Sequence, residues 1–349
     1  MKKTFIQVPE LVRIKPGALE RMGIYLARGG HRRVFLLASE GLPEEIRASF
    51  GASLAARSIE IQNALEVTEA SVECAVRLLG GLPRGCEAIV GMGGGKALDT
   101  AKYVASLAGL PYYAVPTSLS NDGFCSPQSS LTLAGRRRSL PTGLPGAVIV
   151  DTAVCLRAPK ALWCSGVGDL AAKLTAVRDW KLAFHARGTP VNDLAALMSD
   201  ATVYQFIANP AHDAAGMQLL ATALMLNGVA MEIAGSSRPA SGSEHLISHA
   251  LDQIGGAPRL HGIQVGTAAY VVSRLQNNQH ERIASLFERT GFWEVAAAQP
   301  FSRRQWLEAV RLAPSIKDGY YTVLSERDCL PEAERMLAED PNLRRCFVD

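Results

Sequence analysis

Seven histidines occur in 349 residues, and three of them fall between His245 and His261. The stretch reads Ser241-Gly-Ser-Glu-His245-Leu-Ile-Ser-His249, with His261-Gly262 a short way on. On a helix, His245 and His249 are spaced i, i+4 and share one face. Neutral imidazole is the commonest side-chain metal ligand, and it also carries protons near neutral pH. A lone histidine on an apolar face is ordinarily a packing residue. Two on consecutive turns, with a third ahead of a glycine turn, point to metal binding or proton transfer. The residue types alone leave both roles open.

A second concentration of chemistry follows an apolar run. Glu87-Ala-Ile-Val-Gly-Met-Gly93 reads as a strand, and Gly94-Gly95-Lys96 leads into a helix expected over 97–108. Consecutive glycines let the backbone approach a ligand closely and adopt positive φ. A helix N-terminus behind them offers free N–H groups and the positive end of the dipole. Together they suit a pyrophosphate, although the spacing is neither G-x-G-x-x-G nor that of a Walker A loop. Gly93, Gly94, Gly95 and Lys96 are the cofactor-binding candidates. Asp99 lies in the same segment, where it also suits the helix backbone or dipole. After the next strand comes Pro116-Thr117-Ser118-Leu-Ser-Asn121-Asp122-Gly123. Ligands of open α/β sheets bind at the carboxyl ends of strands, so Thr117 and Ser118 can bond a cofactor and Asp122 can reach a substrate. Glu40, just after the strand at 33–39, can accept from an adenosine ribose hydroxyl, which favours NAD over NADP.

These residues need elements to hold them. Strands are expected at 4–14, 33–39, 58–62, 87–93 and 112–116, alternating with helices, one of them capped by Thr68. That order implies a parallel α/β sheet. Ser130–Leu133 and Ala147–Val150 are short β runs flanking a turn at Arg136-Arg137-Arg138, a hairpin-like excursion. From Pro159 onward helical patterns dominate, at 160–187, 193–207, 211–234, 242–254, 263–277, 279–290, 302–312 and 327–338. The length calls for two domains: an α/β domain over 1–157 that carries the nucleotide-binding candidates, and an all-helical domain over 158–349 that carries the histidines. The segment Ala214–Ala234 is apolar over a bilayer's length, but Gln218, Asn227 and Glu232 interrupt it. It reads as a buried helix of the helical domain, and no membrane span is expected.

With 48% hydrophobic and 20% charged residues, the composition is that of a soluble globular protein. The net charge is +3 and the three consecutive arginines are the densest basic run, so nothing argues for nucleic acid. The seven cysteines are scattered and form no C-x-x-C pair. Free thiols in a reducing, cytoplasmic setting are expected. The N-terminus has no apolar run long enough for a signal peptide.

Taken in order, Gly93-Gly-Gly-Lys-x-x-Asp99-x-x-Lys102, Pro116-Thr-Ser, Asn121-Asp122-Gly123, Gly168-Asp169, the His245/His249 pair and His261-Gly262 resemble the iron-containing alcohol dehydrogenase and dehydroquinate synthase superfamily. Asp122-Gly-Phe-Cys-Ser-Pro, Leu174–Ala183 and Ser241–Asp252 are most similar to the sn-glycerol-1-phosphate dehydrogenase branch. The resemblance implies a dehydroquinate synthase-like fold and reversible reduction of dihydroxyacetone phosphate by NAD(P)H. It implies one divalent metal, zinc ahead of iron or nickel, held by Asp169, His245 and His261. His249 would relay a proton or meet the substrate. The Gly93–Gly95 loop, Thr117 and Ser118 would touch NAD or NADP, and Asp122 the substrate hydroxyls. A phosphorylated polyol or ketone is the implied small-molecule partner, and a homo-oligomer the implied assembly. Polyol or phosphonate-aldehyde dehydrogenases, sugar-phosphate cyclases and a non-catalytic nucleotide-binding homologue are the alternatives. Two positions depart from the branch. Ile263 stands where a glutamate that orients the ligands is expected. Lys173 stands where a smaller polar residue is usual, and is a candidate for binding an anionic substrate. Arg178 and the Arg136–Arg138 turn are further candidates for the phosphate.

Overall fold

A computed structural model describes residues 6–256 and 259–349. The start of the expected 4–14 strand lies outside that range. The chain forms two compact units. One runs up to Ala158 and includes Asp213–Glu232; the other comprises Pro159–His212 and Ile233–Asp349.

The first unit is built on a six-stranded sheet of order β1-β8-β5-β4-β2-β3. Its strands are β1 (Leu11–Lys15), β2 (Arg33–Ser39), β3 (Glu60–Val67), β4 (Ala88–Gly93), β5 (Tyr112–Pro116) and β8 (Ala147–Asp151). All neighbours pair in parallel. Every residue of β4, β5 and β8 is buried, as expected where both faces of a parallel sheet are covered. Alternation along β2 divides the packing. Val34 and Leu36 join Met22, Leu26 and Phe50 on one face, and Phe35 and Leu37 join Ala97, Ala101 and Val104 on the other.

Three local expectations change. β3 continues to Val67, so Thr68 is not the cap. The helix Val72–Leu79 is capped by Ser71, whose Oγ accepts from the Cys74 N–H at 3.0 Å. The three arginines lie on a strand rather than in a turn: β6 (Gln128–Leu133) pairs antiparallel with β7 (Arg136–Pro141). The turn is Ala134-Gly135, both at positive φ, 50° and 74°, the geometry of a two-residue hairpin loop. β8 leaves this hairpin and returns to the main sheet between β1 and β5. Finally, Ala214–Ala234 is a mostly buried helix, as expected, but it belongs to the sheet unit rather than to the helical one. A Cβ on its Gly228 would lie 1.9 Å from the Cys125 carbonyl oxygen, so helix and loop meet backbone to backbone.

The second unit is helical. The expected helix at 160–187 is two, Lys160–Ala171 and Lys173–Arg187, broken at Ala172. Ser243–Ile254 and His261–Leu275 follow. A short parallel pairing of Phe301–Ser302 with Phe347–Val348, too brief for a periodic signal, was not expected.

Candidate functional site

Glycines decide which helices of the second unit touch. A Cβ on Gly168 would lie 2.1 Å from the Gly262 carbonyl oxygen, and one on Gly262 would lie 1.8 Å from that of Ser165. The Lys160–Ala171 and His261–Leu275 helices therefore cross at backbone contact, and the Gly262 N–H donates to Ser165 Oγ at 3.0 Å. Asp169 follows Gly168 and His261 precedes Gly262, so the crossing sets carboxylate and imidazole side by side. The Ser243–Ile254 helix supplies His245. Its entry at Gly242 is equally close, since a Cβ there would stand 2.8 Å from Asp179 Oδ2 and 2.9 Å from Ala176 Cα.

The outcome is a cluster in which ligand atoms of Asp169, His245 and His261 all lie within 4.8 Å of one another. His245 Nε2 is 3.5 Å from Asp169 Oδ1. Ligands on a tetrahedral centre with bonds of about 2.0–2.1 Å are about 3.4 Å apart. One carboxylate and two imidazoles are the donor set of a divalent transition-metal site with positions left open. Donor types and spacing both fit. His249 stands one turn beyond His245, its ring centroid 6.4 Å from that of His261.

The surroundings hold these side chains in place. Lys173 is fully buried; its Nζ lies 3.1 Å from Asp169 Oδ1 and 3.3 Å from the Ala240 carbonyl oxygen. Burial alone would raise the Asp169 pKa, but the Lys173 ammonium and the imidazoles outweigh it and hold the acid well below the ordinary carboxylate range. The structure thus turns Lys173 inward onto Asp169. Glu244, also fully buried, accepts from the Gly242 N–H at 2.5 Å and from Thr175 Oγ1 at 2.8 Å, and lies 2.9 Å from His245 Nδ1. A proton on Nδ1 donated to Glu244 leaves Nε2 to face Asp169. Burial would lower the His245 pKa, but the bonds to Asp169 and Glu244 raise it.

Residue 263 supplies no such support. Ile263 is buried, and its carbonyl accepts from Thr267 Oγ1. One polar neighbour of His261 is Ser248, whose Oγ is 3.4 Å from His261 Nδ1 and 2.8 Å from Gln264 Oε1. Neither Glu244 nor Ser248 was singled out from sequence. Acidic residues in a first helical turn ordinarily serve the dipole, which hides the function of Glu244.

In the first unit, the register Gly93↔Pro116 and the bond from the Thr117 N–H to the Gly93 carbonyl, 3.0 Å, bring the two strand-end loops together. Gly93 has φ 139°, and a Cβ on it would lie 2.0 Å from Ser39 Oγ. Only glycine fits. Ser39 Oγ accepts from the Gly94 N–H at 3.0 Å, and Gly95 opens the helix Gly95–Ala108. Lys96 is held by the Thr68 carbonyl at 2.8 Å. Asp99 is buried 3.3 Å from Lys102, and burial raises its pKa despite that partner. Lys102 donates to the carbonyls of Gly123 and Ser126, at 2.8 and 3.0 Å, and so clamps the short 3-10 turn that carries Asp122. Ser118 is buried, while Thr117 and Asp122 are partly exposed.

The sequence profile of the iron-containing alcohol dehydrogenases matches residues 13–159. Over 291 residues the chain is 35% identical to the glycerol-1-phosphate dehydrogenase [NAD(P)+] of Methanothermobacter thermautotrophicus, covering 82% of this chain and 83% of that one. The enzyme of the same name from Aeropyrum pernix is 34% identical over 344 residues, 95% of this chain and 96% of its own. The chain belongs to the glycerol-1-phosphate dehydrogenase family. Among solved structures, the glycerol dehydrogenase of Schizosaccharomyces pombe superposes with a TM-score of 0.75 at 19% identity, over 96% of this chain and 91% of that one. At that identity the likeness concerns the fold alone.

Proposed function

We propose that the protein is a metal-dependent dehydrogenase that interconverts dihydroxyacetone phosphate and sn-glycerol 1-phosphate with NAD or NADP. The observation that carries this reading is the convergence of Asp169, His245 and His261 in a chain whose family members bear that activity in their names. When bound, the metal supplies a Lewis acid for the C2 oxygen and the nicotinamide the hydride for C2. Asp169 and the Nε2 side of His245 are assigned as ligands with His261. Lys173 keeps the Asp169 carboxylate ionised, and Glu244 fixes the orientation of His245. His249 is assigned the proton that leaves or joins the substrate oxygen, passed through a water or a substrate hydroxyl. Gly93, Gly94 and Gly95, whose backbone only glycine fits at its first position, are assigned the pyrophosphate, with Thr117 and Ser118 beside it. Asp122 is assigned to a substrate hydroxyl.

The test combines metal analysis of the purified protein with NADH oxidation on dihydroxyacetone phosphate and on dihydroxyacetone. His261→Ala is expected to fold, to lose stoichiometric metal and to lose nearly all turnover. Full activity of metal-free His261→Ala would remove Asp169, His245 and His261 from the mechanism. A sugar-phosphate cyclase would consume no net NADH with either ketone.

A further inference from the structure

The second unit holds another concentration of positive charge. A left-handed Gly235, φ 62°, leads into Ser236-Ser237-Arg238. Arg238 is only 4% exposed. Its guanidinium carbon stands 3.7 Å from the centroid of the Tyr320 ring, and Nη1 donates to the Tyr321 carbonyl at 2.7 Å. Lys317 Nζ lies 4.0 Å from the same centroid and 3.1 Å from Ser237 Oγ. Tyr320 Oη donates to the Ser241 carbonyl at 2.6 Å and lies 3.3 Å from Ser237 Oγ. Among the described residues, no carboxylate forms an ion pair with either cation. Two like charges on one ring, with no counter-charge in contact, oppose each other. Desolvation and the Arg238 charge push Lys317 down to about 8.

We infer that Arg238, Lys317 and Ser237 form the binding site for the phosphate group of the substrate. A planar guanidinium fork, a mobile ammonium and a hydroxyl are the donors that recognise a phosphate monoester. The bound dianion would add a counter-charge to that of Asp179, whose carboxylate already acts on Arg238. The inference rests on the ketone phosphate reading above and names the site of that phosphate. The cation cluster and the metal cluster share one stretch of chain. Tyr320 holds the Ser241 carbonyl, and Lys173 holds the Ala240 carbonyl while reaching Asp169. Two of the other cations named from sequence are already engaged. Lys173 is committed to Asp169, and Arg137 donates to Ser130 Oγ within its hairpin.

The experiment uses the metal-loaded protein and two ketones, dihydroxyacetone phosphate and dihydroxyacetone, with inorganic phosphate as a direct probe. Lys317→Ala and Arg238→Lys are expected to raise KM for the phosphorylated ketone about 10- to 100-fold, with a much smaller effect on kcat. Preference for the phosphorylated ketone should fall by the same factor, and Lys317→Arg should retain most of it. Calorimetric binding of inorganic phosphate should weaken in parallel. Equal losses on both ketones, or unchanged phosphate binding in Lys317→Ala, would overturn the assignment. If the wild type reduces neither ketone, the proposed reaction fails on its own, and the phosphate titration still decides the site.

Discussion

Replacing Lys173 with methionine removes one buried positive charge and leaves a side chain of similar shape. Lys173 is fully buried with its ammonium 3.1 Å from Asp169 Oδ1, so the substitution strands a carboxylate in the interior. Breaking a buried pair by removing one partner costs about 3–5 kcal/mol. For a unit of the size of Pro159–His212 plus Ile233–Asp349, each kcal/mol corresponds to about 2–4 °C in Tm. The metal-free variant is therefore expected to melt roughly 10 °C below the metal-free wild type. A cation held by Asp169, His245 and His261 restores a positive charge beside the same carboxylate, so the deficit should shrink to a few degrees in the loaded proteins. Calorimetric melting of both proteins near neutral pH, with chelator and with saturating zinc, gives the four numbers needed. An equal loss of Tm in the chelated and loaded states would show that Asp169 does not hold the cation, and the assigned ligand set would fall.

Two further outcomes are expected. Gly262→Ala places a Cβ 1.8 Å from the Ser165 backbone oxygen, which cannot swing aside. The variant should lose about 3 kcal/mol or more and bind less metal, read by denaturant unfolding and metal analysis. Asp179 is fully buried, and burial followed by repulsion from Glu244 pushes its carboxyl up to about 6. Because the folded state holds this proton more tightly than the unfolded chain, stability is greatest below the unfolded value near 4 and falls as pH rises through 6, by up to ~3 kcal/mol. Asp179→Asn should flatten that slope in denaturant titrations across the window; an unchanged slope would clear Asp179 of responsibility.

The sheet was legible because β2, β4 and β5 are buried runs whose apolar character leaves little choice of state. The hairpin was misread because β7 is an exposed arginine-rich strand without alternation, and a charge run of that kind resembles a turn. In the site, the His245/His249 spacing announced itself. Asp169 did not, since Gly-Asp is an ordinary helix start and only the family resemblance gave it weight. Lys173 was noticed, but its burial was not, because i+4 spacing says that it faces Asp169 without saying which of them faces solvent. Ser237 and Lys317 are 80 positions apart, so no local pattern joins them, and Arg238 lies in a turn with no periodicity to mark it.

The backbone contact between Gly228 and Cys125 bears on how the chain comes to be folded. The sheet's last strand is complete at Asp151, but the helix that seals the loop after β5 is made more than sixty residues later. A nascent chain leaving the ribosome therefore passes through an interval in which the sheet's strands have been made and the Cys125 backbone still lacks the helix that packs on it, a state open to association with other chains. The sheet unit is thus finished only by a segment made after it, and severing the gene after Ala158 would cut that unit in two.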